Sequence, residues 1–226
     1  MRDFFQYVRL SAGVVVRNDA WLMVLPIAFL YVVGLWTLYF VETSKWDPGI
    51  AVTQAEVFAP LVAVFIFAGL LDAEQRRGAG EIVFSKPHPP ALLLGVRVVL
   101  ALLVSELFLL SVLIAYHFRF GNAAIGPSML YAIPPCLFMG LIALTTGRSV
   151  RSAAAGYGLS LGFWLWDSTA GMLYNPLFVL PAAEIDSPEI TGASPAVFLA
   201  ANKLAMLTVA AALFWLNTRA LRRSGF

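Results

Sequence analysis

Residues 92–116 read LLLGVRVVLALLVSELFLLSVLIAY, an almost continuous apolar stretch with one glutamate, Glu106, near its middle. Thirteen of the nineteen residues from Val98 to Tyr116 are Leu, Ile, Val or Phe. These side chains favour insertion into a bilayer by roughly 4 to 8 kcal/mol, against about 3 kcal/mol for one central acid. The stretch is therefore predicted to form a membrane-spanning helix that tolerates its glutamate.

The whole chain has the composition of a membrane protein. Of its 226 residues, 60% are hydrophobic and 12% are charged, whereas about 25% of the residues of a soluble domain are charged. This excludes a soluble globule. The basic residues stand beside apolar stretches and form no continuous stripe, which argues against nucleic-acid binding. The single cysteine, Cys136, lies in an apolar run and is predicted to be a core residue.

Six apolar stretches are each long enough to span a membrane, at about 21–41, 52–71, 92–116, 128–147, 153–172 and 198–218. They predict an all-α integral membrane protein in which residues 1–226 form a single transmembrane domain. Residues 1–20 are predicted to form an N-terminal amphipathic helix in the membrane interface, because Phe4 and Val8 share one side and Arg2 and Arg9 the other. A frayed basic leader is the alternative.

Lys and Arg are distributed unevenly over the connections between these spans. With the N-terminus in the cytoplasm, twelve fall inside: Arg2, Arg9, Arg17, Arg76, Arg77, Lys86, Arg97, Arg148, Arg151, Arg219, Arg222 and Arg223. Only Lys45, Arg119 and Lys203 fall outside. The positive-inside rule therefore predicts a multi-pass protein of the plasma (bacterial inner) membrane with both termini cytoplasmic. The acidic, proline-rich residues 173–197 then face outward.

The longest cytoplasmic connection is richer in charge and glycine than a simple connector between helices. Residues 71–97 read LDAEQRRGAGEIVFSKPHPPALLLGVR, whereas helix connections usually need only about 2 to 8 residues. A solvated loop that follows the positive-inside rule explains the basic residues but not the ordered pattern. We expect residues 72–90 to form a small folded element that binds a partner.

This segment resembles the loop between the second and third spans of ABC type-2 permeases. The family pattern is a glutamate, then Gly-Thr, a second glutamate, an apolar triplet, a serine and a proline. Glu74, Gly78, Glu81, Ser85 and Pro87 match it in order and spacing, and Gly95 fits a family glycine before a basic residue. Two departures are Ala79, where threonine is common, and Val96, which intervenes before Arg97.

The resemblance implies the permease subunit of an ATP-driven exporter. Such a chain pairs with a second permease subunit, the same or homologous, and binds two cytoplasmic ATPase subunits through its coupling loop. The loop residues expected to contact the ATPase are Glu74, Arg76, Arg77, Gly78, Glu81, Ser85 and Pro87. The few fixed charges favour an amphiphilic or hydrophobic substrate, such as a peptide, lipid or drug.

The sequence contains no GxxxxGK[ST] loop to hold phosphates, so ATP and Mg are expected in the partner ATPase, with no cofactor, metal or enzymatic activity in this chain. Two other functions are possible on the sequence. One is a non-transporting membrane anchor or immunity subunit of similar fold. The other is an intramembrane enzyme, disfavoured because the chain has neither a GxSG-like site nor HExxH.

Three charged residues fall within or near the predicted spans and are candidates for the translocation path: Glu106, Asp167 and Lys203. The alternative for Asp167 and Lys203 is a structural ion pair, because both fall toward the outer side of adjacent spans. Glu106 has no obvious partner. In the fifth span, Ala154, Gly158 and Gly162 recur at every fourth position, which allows close approach of another helix, from a second subunit or from this chain.

Overall fold

The computed structural model describes residues 9, 11–12, 20–70, 90–167 and 195–223, whose regular secondary structure is entirely helical. The all-α prediction is confirmed for these residues. The helices are α1 (Ala20–Phe40), α2 (Pro48–Ala68), α3 (Pro90–Phe120), α4 (Ile125–Val150), α5 (Ala153–Trp166) and α6 (Pro195–Arg223). A short 3-10 turn, Thr43–Lys45, connects α1 to α2.

Four helices are long and apolar enough to cross a membrane, as expected of a membrane protein: Pro48–Ala68, Ala91–Phe120, Ile125–Val150 and Leu199–Arg222. They correspond to the spans predicted at 52–71, 92–116, 128–147 and 198–218. The spans predicted at 21–41 and 153–172 overlap α1 and α5 and stay predictions. Arg9, Ser11 and Ala12 are helical, but most of the predicted interfacial helix lies outside the described residues.

The start of α2 differs from the prediction. The second span was predicted at 52–71, but the helix already begins at Pro48. Asp47 caps it, because its Oδ1 accepts a hydrogen bond from the Gly49 amide at 3.2 Å, and proline suits the first helical position. Gln54 and Glu56 consequently lie inside a membrane-length helix.

The centre of the bundle is the contact between α2 and α4, the most extensive between any two described helices. α5 and α6 also pack on α4, while α1 and α3 pack on α2. Glycines bring some of these helices close together: a Cβ added to Gly140 of α4 would lie only 2.7 Å from the Phe67 ring of α2. Likewise, Gly156 of α5 packs directly on the backbone of Ala143 in α4.

Polar contacts tie the helices together at one end of the bundle, which we call the Trp46 end. The Trp46 ring stacks on Phe120 with centroids 3.9 Å apart, and its Nε1 donates a hydrogen bond to the Asn122 carbonyl at 2.6 Å. A little deeper, the Tyr116 hydroxyl donates to Gln54 Oε1. The Gln54 amide in turn donates to Thr37 at 2.7 Å. This chain of contacts joins α1, α2 and α3.

Candidate functional site

A buried ion pair joins α6 to α2. Lys203 Nζ lies 2.5 Å from Glu56 Oε1, and the two residues are 8% and 0% exposed. Each stands a little over two turns after the start of its helix. Removing two charges from water costs several kcal/mol per ion, which the pairing in the interior roughly offsets. The pair therefore fixes how α6 is positioned against α2 more than it adds stability.

Glu56 is the partner that sequence reasoning missed. The hypothesis of an ion pair between Asp167 and Lys203 was wrong: these two described residues form none. Asp167 instead lies half-buried at the end of α5. The hypothesis assumed that helices consecutive in the described chain, α5 and α6, are neighbours in space. Instead, α6 packs most extensively on α4. The signal that could have found Glu56 is an acid inside a membrane-length helix.

Glu106 is a buried acid in the middle of α3. Its residue is 7% exposed, and neither carboxylate oxygen has a hydrogen-bond partner in the part of the chain that the structure describes. Polar groups in an apolar interior normally have such partners.

The single cysteine lies in the core of the bundle. Cys136, on α4, is 0% exposed, as predicted for a core residue. Buried charged or titratable side chains thus lie on α2, α3, α4 and α6.

The coupling-loop residues predicted from the sequence, Glu74, Arg76, Arg77, Gly78, Glu81, Ser85 and Pro87, lie outside the described residues. The helices that flank this segment are nevertheless joined, because Arg97 of α3 donates a hydrogen bond to the Leu70 carbonyl, just after α2, at 3.3 Å. Arg97 is 3% exposed. It was predicted as a cytoplasmic basic flank, and the structure makes it a buried tie between the two helices.

A second polar contact holds α6 at this Arg97 end of the bundle. Arg148 of α4 donates to the Asn217 carbonyl of α6 at 2.9 Å. The Asn217 side-chain amide donates back to Thr145 of α4 at 2.8 Å. The sequence placed Arg148 only among the predicted cytoplasmic basic residues. The contact could not be read from it, because Asn217 and Arg148 are far apart along the chain.

The small-residue face of α5 points away from the described helices. Ala154, Gly158 and Gly162 are exposed, and a Cβ added to either glycine would meet nothing within 4 Å. The opposite face, with Gly156, makes the contact with α4. Packing within the described part of the chain therefore does not explain the pattern, and the contact with a second subunit stays a prediction.

The described residues include no group of three or more His, Cys, Asp or Glu side chains placed to hold a metal ion. The chemistry available in the bundle is that of its buried acids and Lys203: binding a proton or a cationic group and pairing helices by charge. Comparison of the chain with protein-family models, with curated proteins and with solved structures returns no match.

Proposed function

We propose that the chain is the transmembrane permease subunit of an ATP-driven ABC type-2 exporter. The observation that carries the proposal is the sequence pattern from Glu74 to Pro87, which matches the coupling loop of such permeases. Its position supports the proposal, because it connects two membrane-length helices, α2 and α3. The Arg97 hydrogen bond to Leu70 ties the two flanks of the segment, so a force on residues 72–90 acts on both helices together.

In this proposal the segment 72–90 binds a cytoplasmic ATPase subunit, which holds ATP and Mg. The Arg97 end of the bundle faces the cytoplasm of the plasma (bacterial inner) membrane, in line with the basic residues Arg148, Arg151, Arg219 and Arg222 at that end. Two permease subunits, the same or homologous, pair in the membrane. The exposed small-residue face of α5 is a candidate for their contact.

The substrate is proposed to pass between two permease subunits and not through one bundle. A cavity between α1, α2 and α3, lined in part by Gln54 and Tyr116, has a volume of about 10 Å³, which accommodates roughly one water molecule. An amphiphilic or hydrophobic substrate, such as a peptide, lipid or drug, does not fit there. Of the candidate path residues, Glu106, Asp167 and Lys203, only Asp167 is not fully buried within the chain.

The sequence pattern from Glu74 to Pro87 also allows a second candidate function, a non-transporting membrane anchor or immunity subunit of similar fold, because the pattern indicates which partner is bound and not what is moved. Such a chain would use the segment 72–90 to bind its partner and would move nothing. Both functions require a partner bound by the segment 72–90, but only the permease moves a substrate across the membrane.

The experiment that tests the proposal is purification of the tagged chain from its native membrane in mild detergent, with mass spectrometry of the copurifying proteins. We expect a stoichiometric ATPase with a phosphate-binding loop, lost in a Gly78→Pro, Glu81→Ala double variant. A Glu42→Ala variant is the matched control, because Glu42 is an exposed acid at the Trp46 end and its removal should leave the ATPase bound. Absence of an ATPase from every sample would contradict the proposal.

Transport separates the two candidates. Vesicles with the copurified complex should accumulate amphiphilic substrates on addition of ATP if the chain is a permease. Bound ATPase without ATP-dependent accumulation of any peptide, lipid or drug tested would favour the anchor.

A further inference from the structure

We propose that the outward side of α6 binds an anionic phospholipid, with Arg219 and Arg222 on its phosphate and Trp215 holding Arg219 in place. The inference does not depend on the function proposed above, because it concerns only the described helices and not the segment 72–90. It requires only that α6 crosses a membrane, and residues Leu199–Arg222 are long and apolar enough to do so.

The first step is the arrangement of these three side chains. Trp215, Arg219 and Arg222 are all exposed, and their spacing of four and three residues puts them on one side of the helix. The Arg219 guanidinium lies over the Trp215 ring, 5.1 Å from the ring centre. Asn217 and Leu221, on the other side of α6, are buried. The three side chains therefore face away from the bundle.

The second step is the difference between these arginines and two others at the Arg97 end. Arg97 and Arg148 donate hydrogen bonds to backbone carbonyls of the bundle. The side chains of Arg219 and Arg222, in contrast, form no ion pair or hydrogen bond with another described residue. A planar guanidinium matches a phosphate through paired N–H donors. The contact with Trp215 uses only the face of the Arg219 group, so its edge donors stay available.

The charge at the Arg97 end favours an anionic headgroup. Besides Arg219 and Arg222, this end carries Arg97, Arg148 and Arg151. The acidic residues that the structure describes all lie elsewhere in the bundle: Glu42, Asp47, Glu56, Glu106 and Asp167. Such clusters of basic residues attract anionic lipids. A phosphatidylcholine has the same phosphate, but its ammonium group would be repelled by the arginines, so a lipid with a net negative charge is preferred.

The acyl chains of the lipid also have a surface to lie on. The outward side of α6 is apolar from Leu204 to Leu216, both of which are exposed. Thr208 in this stretch donates its hydroxyl to the Leu204 carbonyl of its own helix at 2.8 Å. The stretch rises about 18 Å, a little more than the hydrocarbon of one leaflet, which is about 15 Å. A phosphate at Arg219 therefore places the acyl chains alongside this stretch.

Native mass spectrometry of the full chain tests the proposal, from detergent micelles that contain equal amounts of phosphatidylglycerol and phosphatidylcholine. We expect the wild type to retain phosphatidylglycerol in preference to phosphatidylcholine. Arg219→Gln should lower this preference about fivefold, which is the effect of one basic residue at an anionic membrane surface. Arg151→Gln is the matched control, because it removes an exposed arginine at the same end but outside α6. It should leave the preference nearly unchanged.

Trp215→Leu keeps every arginine and should lower the preference by less than Arg219→Gln does; no change would overturn the role of the ring. The site would be overturned by a wild type without preference. It would also be overturned by equal losses in Arg219→Gln and Arg151→Gln, since only the overall charge would then matter. Complete loss of bound lipid on addition of inorganic phosphate would identify a free anion as the ligand instead. A lipid-free dimer that Arg219→Gln converts to monomers would assign this side of α6 to a second copy of the chain.

Discussion

α2 and α6 are both long and apolar enough to cross a membrane, but the bundle holds them in different ways. Of the most apolar window of each helix, 67% is buried in α2 and 22% in α6. α2 is enclosed by close packing, as at Phe67 against Gly140. α6 is attached through polar contacts at two depths, Lys203 with Glu56 and Asn217 with Arg148. Because apolar surface is at no disadvantage in lipid, a peripheral helix needs polar or small-residue contacts to stay in place.

The largest effect is expected from removing the deeper contact of α6. Lys203→Ala leaves Glu56 buried without its counter-charge, and breaking one side of a buried ion pair costs about 3 to 5 kcal/mol. Thermal unfolding in detergent should show the loss.

The control is the Glu56→Gln, Lys203→Met double variant, which removes both charges. Replacing a buried pair by uncharged groups of similar size is often neutral or stabilising. We expect its unfolding temperature to be close to that of the wild type. A double variant as unstable as Lys203→Ala would show that α6 depends on the side-chain shapes and not on the charges.

Close packing at the centre gives the next largest effect. In Gly156→Ala the new methyl group would collide with the Ala143 backbone of α4, which cannot move as a side chain can. Overpacking of this kind costs about 1 to 3 kcal/mol. Gly158→Ala, one half-turn away on the open face of α5, should be tolerated. Equal unfolding temperatures for the two variants would contradict the packing of α5 on α4.

The sequence predicted the positions of most helices but not the contacts between them. Apolar runs located α3, α4 and α6, because lipid exposure leaves a strong signal in composition. The start of α2 was misplaced, since the cap formed by Asp47 and Pro48 lies within a polar stretch. Glu56 lies near the start of the span predicted at 52–71, but the sequence alone does not show that this part of the span contacts Lys203.

In the candidate site, too, the sequence singled out some residues but did not show their contacts. Glu106 and Lys203 stood out because charges within apolar stretches are rare. Which acid Lys203 contacts depends on which helices are neighbours, and six spans allow many arrangements. Asn217 and Arg97 gave no such signal, because a polar residue near a span end is ordinary in a membrane protein.

The shallower contact of α6 should have a smaller effect. Asn217→Ala removes the side-chain hydrogen bond to Thr145 but leaves the Asn217 carbonyl available to Arg148. Interhelical hydrogen bonds in membranes contribute on average about 0.6 kcal/mol and at most about 1.7 kcal/mol. A double-mutant cycle of Asn217→Ala with Thr145→Val should give a coupling in this range. A coupling of about 3 to 5 kcal/mol, the cost expected for breaking the Lys203–Glu56 pair, would mean that the two contacts hold α6 equally strongly.

The smallest effect on the unfolding temperature is expected from breaking the exposed ion pair between Lys45 and Glu42. Lys45 Nζ lies 3.1 Å from Glu42 Oε2 in the turn between α1 and α2, with side chains 74% and 66% exposed. Exposed pairs contribute about 0 to 1 kcal/mol and are screened by salt. Lys45→Ala should therefore change the unfolding temperature little and still less at high salt, whereas Lys203→Ala should be insensitive to salt. A large or salt-independent effect at Lys45 would mean that this turn is buried in the assembled protein, because only removal from water makes the loss of a charge costly.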